Sequence, residues 1–363
     1  MKKVLALVLV SVLALGLAAC APSAPAPAAP EASGGGLVGI SMPTQTSERW
    51  IMDGHTLRDI LIERGFEVDL QYAEDDIATQ LAQIESMLLR GAKALVIAAI
   101  DGSTLSALLD RAGDDGVIII SYDRLLVDTG AVSYYATFDN VGVGRLQAQS
   151  MVDGMRAHRG SGPYNVELFA GSPDDTNSFF FYSGAMDVLQ PLIDSGEVVV
   201  PSGQMSQGEI GTLRWDGAVA QARMDALLAA NYSGGLPLHG VLSPYDGLSR
   251  GIISSLVAFG FAPNTDNWPI VSGQDAEAAS ISLIRTGEQF STILKDTRDL
   301  ARVAADMVEA ALEGRSPEIN DTTTYNNNVK YVPSYLLIPY TVTAENYQEL
   351  VIGSGYLSEA DIP

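Results

Sequence analysis

Four apolar, strand-like runs in this 363-residue chain each end at an aspartate: Asp101, Asp123, Asp246 and Asp275. A helical pattern follows each of them. Ligands of open α/β sheets bind in the crevice at the carboxyl ends of the parallel strands, so we expect the four carboxylates to face a common cleft. Carboxylates only accept hydrogen bonds, and each can take bonds from several hydroxyl groups. Such a cleft suits a neutral, hydroxyl-rich ligand, although each aspartate could instead cap its following helix.

Basic and aromatic residues lie at comparable places. Arg49, Arg124 and Lys295 each fall where a predicted strand meets a loop or a helix. Their N–H donors suit the ring and hydroxyl oxygens of a sugar, although a surface salt bridge is the commoner fate of an arginine. Trp50 and Trp215 could stack on the apolar face of a sugar ring or could be ordinary core residues.

No catalytic or metal-binding motif accompanies these residues. The histidines His55, His158 and His239 are dispersed, and the sequence contains no P-loop, nucleophile elbow, zinc-protease motif or EF-hand loop. We therefore expect no cofactor and no metal, and we favour a binding protein over an enzyme. Two carboxylates could still act as the acid and base of a glycoside hydrolase, so that alternative stays open.

The N-terminus predicts export. A basic start and a short apolar stretch precede Cys20, which is the pattern of a signal peptide over residues 1–19. LeuAlaAlaCys, which ends at Cys20, resembles the lipobox of bacterial lipoproteins. This predicts lipidation of Cys20 and anchoring on the outer side of the cytoplasmic membrane, whereas an ordinary signal peptide is the alternative. Residues 20–36 are almost entirely Ala, Pro, Ser and Gly, a composition typical of an extended tether.

The composition limits the partners. The formal net charge is −23 at pH 7, which disfavours binding to nucleic acid or to anionic lipid headgroups. Cys20 is the only cysteine, so the chain cannot form an internal disulfide and must be stable through its core alone.

The apolar pattern predicts an α/β fold. Strongly apolar strands alternate with amphipathic helices, which indicates parallel sheets covered on both faces. The alternation occurs twice, which predicts two similar domains with a cleft between them. The expected strands are 37–42, 66–72, 94–100, 117–122 and 132–140, then 165–171, 197–201, 240–244, 269–273 and 289–295, with 329–333 last.

Several long motifs resemble one family, the periplasmic sugar-binding proteins of bacterial ABC importers, and most closely its multiple-monosaccharide and galactose–glucose group. They are SerGluArgTrp (47–50), AspLeuGlnTyrAlaGluAspAspIle (69–77), TyrAspArgLeu (122–125), ValGluLeuPheAlaGlySerProAspAsp (166–175), GlyThrLeuArgTrpAsp (211–216), LeuSerProTyrAspGlyLeuSer (242–249) and SerGlyGlnAspAla (272–276). The resemblance covers residues 37–360.

The resemblance implies the type I fold, in which two Rossmann-like doubly wound lobes are joined by a hinge of three chain crossings. The crossings are expected near 137–139, at 295–296 and within the polar stretch 320–328. The first lobe is then 37–138 plus about 296–324, and the second is 139–295 plus about 325–363. The implied sugar-binding residues are Arg49, Trp50, Asp101, Asp123 and Arg124 from the first lobe, and Glu167, Asn177, Trp215, Asp246, Asp275 and Lys295 from the second lobe and the hinge.

The family also implies a function. A monomeric receptor of this kind captures a monosaccharide by hinge closure and delivers it to an ABC permease. A galactose- or glucose-type aldopyranose is the expected ligand, with arabinose, fucose and xylose left open. Some members of the group, in plant-associated bacteria, present their sugar to a sensor kinase, so a kinase is the alternative partner.

Overall fold

The computed structural model describes residues 35–363, which form one compact unit. The predicted signal peptide, Cys20 and nearly all of the predicted tether lie outside the described residues. Among residues 35–363, no helix combines the length and the apolar character needed to cross a membrane.

Strands and helices alternate along most of the described chain, as predicted. The strands are β1 (Leu37–Met42), β2 (Glu67–Tyr72), β3 (Ala94–Ile97), β4 (Ile118–Tyr122), β5 (Tyr134–Phe138), β6 (Tyr164–Leu168), β7 (Val198–Val199), β8 (Gly240–Leu242), β9 (Ile270–Val271), β10 (Ser291–Leu294), β11 (Ser334–Leu337) and β12 (Tyr340–Thr343). The helices are α1 (Glu48–Glu63), α2 (Ile77–Leu89), α3 (Ser106–Asp114), α4 (Asn140–Arg159), α5 (Thr176–Asp194), α6 (Gln207–Ile210), α7 (Gly217–Leu227), α8 (Asp246–Phe259), α9 (Ala278–Thr286) and α10 (Thr297–Leu312).

The first sheet has six strands in the order β11-β5-β4-β3-β1-β2, and every neighbouring pair is parallel. All residues of β1 and β3 are buried, because both faces of the sheet are covered. Alternate residues serve opposite faces: Ala94 and Val96 pack in the core beneath α1 and α10, whereas Leu95 and Ile97 pack on the side of α2 and α3.

The second sheet has four parallel strands in the order β7-β6-β8-β9. One core cluster joins this sheet to α4 and α5, and another joins it to α7 and α8. Beside the sheet, β10 and β12 form an antiparallel pair. The α/β class with parallel sheets, predicted from the apolar pattern, is therefore confirmed.

The position of the third chain crossing needs correction. Strand β11 pairs with β5 in the first sheet, so the chain passes to β12 only at residues 338–339. The polar stretch 320–328 is no hinge: Tyr325 is fully buried, and Asn327 donates hydrogen bonds to the carbonyls of Leu126 and Thr129. The family resemblance placed this crossing too early in the chain, since the side chains of 320–328 bind backbone groups of a neighbouring loop in the first lobe.

The sheets define two lobes. The first lobe comprises residues 35–138 and 296–337, because α10 also packs on the first sheet. The second lobe comprises residues 139–295 and 340–363, which carry the second sheet and the β10–β12 pair.

The end of the chain also departs from prediction. The expected strand at 329–333 is wrong, since this segment forms only a single bridge, at Tyr331, and β11 starts immediately after Pro333. Val329 and Tyr331 are exposed, so their apolar character does not report a buried strand. Strand β12 and the π-helical turn Gln348–Gly353 had no counterpart in the sequence analysis.

Close packing of α4 against α5 depends on two glycines. A Cβ added at Gly144 would lie 1.9 Å from the carbonyl oxygen of Phe181, and one at Gly184 would lie 1.9 Å from that of Val141. Both obstacles are backbone atoms, so the helices themselves would have to separate.

We therefore expect Gly144→Ala and Gly184→Ala each to lower the free energy of unfolding by about 1–3 kcal/mol through overpacking. Urea denaturation measures the change. The control is Gly208→Ala at an exposed position of helix α6, where an added Cβ meets no atom within 4 Å. Equal stability of all three variants would contradict this account of the packing.

Candidate ligand-binding site

A cavity lies between the two lobes, at the carboxyl ends of strands from both parallel sheets. Its volume of about 60 Å³ compares with roughly 10–15 Å³ for one water molecule on the same measure, so it accommodates one small polar ligand. The cavity brings together most of the predicted site residues: Arg49, Trp50, Asp123, Arg124, Asn177, Trp215, Asp275 and Lys295. It also contains residues that the sequence analysis missed: Thr44, Thr46, Ser47, Asp75, Asp175, Phe181, Arg214, Tyr245 and Gln274.

A buried ion cluster forms the floor of the cavity. Arg49, on the first turn of α1, donates from Nε to Asp53 Oδ2 at 3.0 Å and from Nη2 to Asp123 Oδ2 at 2.9 Å. Its Nη1 lies 3.6 Å from Asp275 Oδ1. Lys295 Nζ lies 3.1 Å from Asp275 Oδ1 and 3.8 Å from Asp123 Oδ2. Arg49 and Asp123 belong to the first lobe, whereas Asp275 and Lys295 belong to the second.

The cluster favours charged forms despite its burial. Burial opposes ionisation of Asp123, but Arg49, Lys295 and Arg124 together lower the pKa of its carboxyl group. Burial likewise opposes the charge on Arg49, yet Asp123 and Asp53 raise its pKa well above the usual value. At Asp53 burial prevails over Arg49 and raises the pKa to about 6. Asp53 was missed, although its spacing of four residues from Arg49 on one helix could have indicated the pair.

Local backbone geometry aims Asp123 into the cavity. Its φ of 57° lies in the left-handed region, which is strained for a residue other than glycine. Asn177 on α5 stabilises this conformation by donating from Nδ2 to the Asp123 carbonyl oxygen at 2.8 Å. Asn140 in turn donates to Asn177 Oδ1 at 3.0 Å, which fixes the orientation of the amide.

Two guanidinium groups lie close to the Trp50 ring. The Cζ atom of Arg49 is 4.4 Å from the centroid of its ring, and that of Arg124 is 5.1 Å away. Arg124 also donates from Nη1 to the Ala99 carbonyl oxygen at 3.0 Å, and its Nε is 3.0 Å from Asp175 Oδ2. Because Asp175 lies in the second lobe, this ion pair spans the cleft.

Trp215 forms the opposing aromatic wall. Its Nε1 donates to Asp175 Oδ2 at 3.1 Å, and its ring packs edge-on against Phe181 and Tyr245. A Cβ at Gly171 would lie 1.9 Å from the indole ring, so only glycine leaves room for the ring at this place. Trp215 has a φ of 56°, a second strained conformation at the cavity.

The charged residues of the lining balance in sign. The carboxylates are Asp75, Asp123, Asp175 and Asp275, and the cations are Arg49, Arg124, Arg214 and Lys295. Formal neutrality favours an uncharged ligand that both accepts and donates hydrogen bonds. Asp75, Asp175 and Arg214 stand inside motifs that carried the family resemblance, which was the available signal, but none of them directly follows a strand.

The expectation that all four strand-end aspartates face the cleft is wrong for Asp101. Its Oδ1 accepts hydrogen bonds from the backbone N–H and the hydroxyl of Ser103, and it does not line the cavity. The strand β3 ends at Ile97, and Ala99 is the residue that reaches the site by accepting from Arg124. Asp101 comes too far beyond the strand end.

Glu167 was also predicted to contact the ligand and lies elsewhere. It is a fully buried residue within β6, where its carboxylate accepts from the hydroxyls of Ser202 and Tyr232 at 2.6 and 2.8 Å. The carboxyl end of β6 leads instead to Asp175, so the prediction chose the wrong position along the segment.

Asp246, the third correction to the predicted site, does not line the cavity and lies behind it. It is fully buried, and its two oxygens accept from the backbone N–H groups of Gln274 and Glu277, both at 3.0 Å. Gln289 donates to it as well, at 2.8 Å. Burial and the nearby Glu277 raise the pKa of Asp246 to about 8, although the Gln289 and Glu277 donors oppose the rise. The Asp246 side chain thus holds the loop that carries Asp275.

Within the described residues, no group of three or more His, Cys, Asp or Glu side chains has the arrangement of a metal site. The lining of the cavity itself combines charged and polar hydrogen-bonding side chains with the aromatic rings of Trp50, Phe181, Trp215 and Tyr245. This combination suits a sugar, whose hydroxyls donate and accept and whose C–H faces pack on aromatic rings.

We expect Gly171→Ala to weaken ligand binding by about tenfold or more, because the added methyl group displaces the Trp215 indole from the cavity wall. Isothermal titration calorimetry with D-glucose measures the affinity, and indole fluorescence reports the displacement. Gly208→Ala, remote from the cavity, serves as the control. Unchanged affinity in Gly171→Ala would remove Trp215 from the binding wall.

Comparisons with known proteins agree with this geometry. The family described as periplasmic binding protein domain matches residues 38–316. The chain is 56% identical over 321 residues to the multiple sugar-binding periplasmic receptor ChvE of Rhizobium radiobacter, covering 88% of this chain and 90% of the relative.

Solved structures are similar as well. An ABC transporter solute binding protein from Clostridium phytofermentans with bound β-D-glucose superposes with a TM-score of 0.86 at 43% identity, covering 90% of this chain and all of the other. A carbohydrate transporter solute binding protein from Chloroflexus aurantiacus in complex with D-glucose gives a TM-score of 0.80 at 34% identity, covering 90% and 99%. This chain belongs to the periplasmic binding protein family, in its type I form.

Proposed function

We propose that this protein captures a monosaccharide outside the cytoplasm and delivers it to an ABC permease. The observation that carries the proposal is the charge-balanced, aromatic-walled cavity between the two lobes. A relative that is 56% identical is a multiple sugar-binding receptor, and the two solved structures described above hold glucose.

A pyranose ring is the ligand that this cavity suits best. The carboxylates of Asp123 and Asp275 accept from sugar hydroxyls, while the side chains of Arg49, Arg124 and Lys295 donate to sugar oxygens. Trp50 and Trp215 are available for the apolar C–H surfaces of the ring. We infer an aldopyranose of the glucose or galactose type, with arabinose, fucose and xylose as further candidates.

Hinge closure is the mechanism that the distribution of these groups favours. Asp123 and Arg124 come from the first lobe, whereas Asp175, Asn177 and Asp275 come from the second. A ligand that bonds to both sets binds the closed form more tightly than the open form, and therefore shifts the population toward closure. Lys295 lies at the second chain crossing, where a rotation between the lobes moves it least.

We propose a binding role without catalysis. The family consists of transport proteins, and the carboxylates Asp123 and Asp275 are both paired with Arg49 and Lys295. Such pairing disfavours the protonated carboxylic acid that a glycoside hydrolase needs as its general acid. Release of aryl alcohol from aryl glycosides by the purified protein would overturn this part of the proposal.

The preferred partner is the membrane permease, and we propose that the protein acts as a monomer. A sensor kinase is the second candidate partner, on the basis of the sequence resemblance alone. Sugar-dependent capture of permease subunits from detergent extracts, compared with capture of a kinase periplasmic domain, distinguishes the two.

We expect Asp123→Asn and Asp275→Asn each to weaken sugar binding by about 10- to 100-fold, because each loses a charged acceptor in the cavity. Calorimetry with D-glucose, D-galactose, L-arabinose and D-xylose measures the loss. The matched control is Asp101→Asn, an equally conservative change outside the cavity, which should bind as the unmodified protein does. Absence of binding to every sugar in the unmodified protein would reject the proposed function.

Lipid anchoring is a separate proposal that rests on the residues around Cys20. We expect the full chain expressed in a bacterium to partition into the membrane fraction, and Cys20→Ser to appear in the soluble extracytoplasmic fraction. Mass spectrometry of the mature N-terminus tests for the diacylglyceryl group directly. A soluble, unmodified mature protein would favour an ordinary signal peptide.

A further inference from the structure

Glu277 connects the two lobes without lining the cavity. Its Oε1 accepts from the Ser47 hydroxyl at 3.0 Å and from the Tyr245 hydroxyl at 2.7 Å. Its Oε2 pairs with Arg250 Nη2 at 2.6 Å. Ser47 belongs to the first lobe, and the other partners belong to the second. The carboxylate is nearly inaccessible, so these bonds are made away from solvent.

Ser47 departs from the usual behaviour of a serine at its position. It is the N-cap residue of α1, where a serine hydroxyl normally accepts a hydrogen bond from a backbone N–H of the first turn. Here the side chain makes no capping bond and donates across the cleft instead. Helix α1 therefore lacks a side-chain cap, and the Ser47 hydroxyl is used for the bond between the lobes instead.

The second lobe holds Glu277 in place independently of Ser47. Asp275 and Ala276 have φ angles of 91° and 51°, a strained pair that turns the chain just before Glu277. The Glu277 N–H donates to Asp246 Oδ2, and its carboxylate contacts Tyr245 and Arg250. When the lobes separate, these bonds persist within one lobe, and only the bond to Ser47 breaks.

We propose that Glu277 is a positioning residue that latches the closed form through Ser47. This inference rests on the proposed function, since it concerns how tightly that receptor closes on its sugar. The bond from Ser47 to Glu277 exists only in the closed form and requires no ligand group. It therefore stabilises closure by the same amount whichever sugar is bound.

The latch differs from the other bonds between the lobes in its acceptor: Ser47 lines the cavity, but its hydroxyl donates to Glu277, which does not line it. The pairs of Arg49 with Asp275 and of Arg124 with Asp175 are made by groups that line the cavity, so their loss alters contacts with the ligand. Loss of those groups should change affinity unequally among sugars. Loss of the latch should change affinity equally, and that difference separates the two roles.

The test is Ser47→Ala, which removes the bond between the lobes and leaves Glu277 with its partners in the second lobe. We expect dissociation constants for D-glucose, D-galactose, L-arabinose and D-xylose to rise by a common factor of about 5 to 10. Sugar dissociation in stopped-flow fluorescence should accelerate by a similar factor. Ser47→Thr keeps a hydroxyl and should restore affinity. In a Glu277→Ala background, Ser47→Ala should have no further effect.

Three outcomes would overturn the latch. The first is unchanged affinity for sugar in Ser47→Ala. The second is an unequal loss of affinity among the four sugars, which would make Ser47 a direct sugar contact. The third is full additivity of the binding free-energy changes of Ser47→Ala and Glu277→Ala. Should the unmodified protein bind no sugar, the proposed function fails separately. The latch is then tested by small-angle X-ray scattering of the ligand-free proteins, in which Ser47→Ala must have a larger radius of gyration than the unmodified protein.

Discussion

The buried guanidinium of Arg49 is the constraint on which the rest of the structure depends. Removing such a charge from water costs several kcal/mol unless carboxylates pair with it. Its partners come from both lobes: Asp53 and Asp123 from the first and Asp275 from the second. Neither lobe alone supplies the full set, so the charge is best satisfied when the lobes meet. Two of these carboxylates, Asp123 and Asp275, also line the cavity, which ties closure and ligand binding to the same atoms.

The residues around this cluster hold its members at fixed angles. Asn177 secures the strained backbone of Asp123, and Asp246 secures the loop that presents Asp275. Rigid presentation matters because sugars differ only in the direction of single hydroxyl groups, and a mobile carboxylate would accept from either direction. Preorganisation also reduces the entropy lost when the ligand binds. Buried hydrogen bonds behind Asp123 and Asp275 thereby contribute to recognition of the ligand.

Several features of the site could be predicted from local patterns. Asp123 and Asp275 directly follow apolar strands, and the geometry of a parallel sheet places such residues at one edge. The same rule wrongly placed Asp101 and Asp246 in the cavity. Extra residues separate Asp101 from the end of its strand, and the Asp246 side chain accepts from buried backbone N–H groups. The prediction for Glu167 was wrong because this residue lies within strand β6 and not beyond its carboxyl end. The family resemblance placed a chain crossing within 320–328, but Asn327 is buried there against backbone carbonyls and the chain crosses only after β11.

The sequence by itself determined the α/β class, the repeated sheet unit and the neutral, hydroxyl-rich character of the ligand, because periodicity and residue type act locally along the chain. Only the tertiary structure decided which charged groups share the cavity, since Arg49 and Asp275 are distant in sequence and meet through lobe packing. It also decided that Ser47 donates to Glu277 rather than capping its own helix. The physical reason is common to both: a buried polar group takes the partner that the fold brings within hydrogen-bonding distance, and local sequence does not specify that partner.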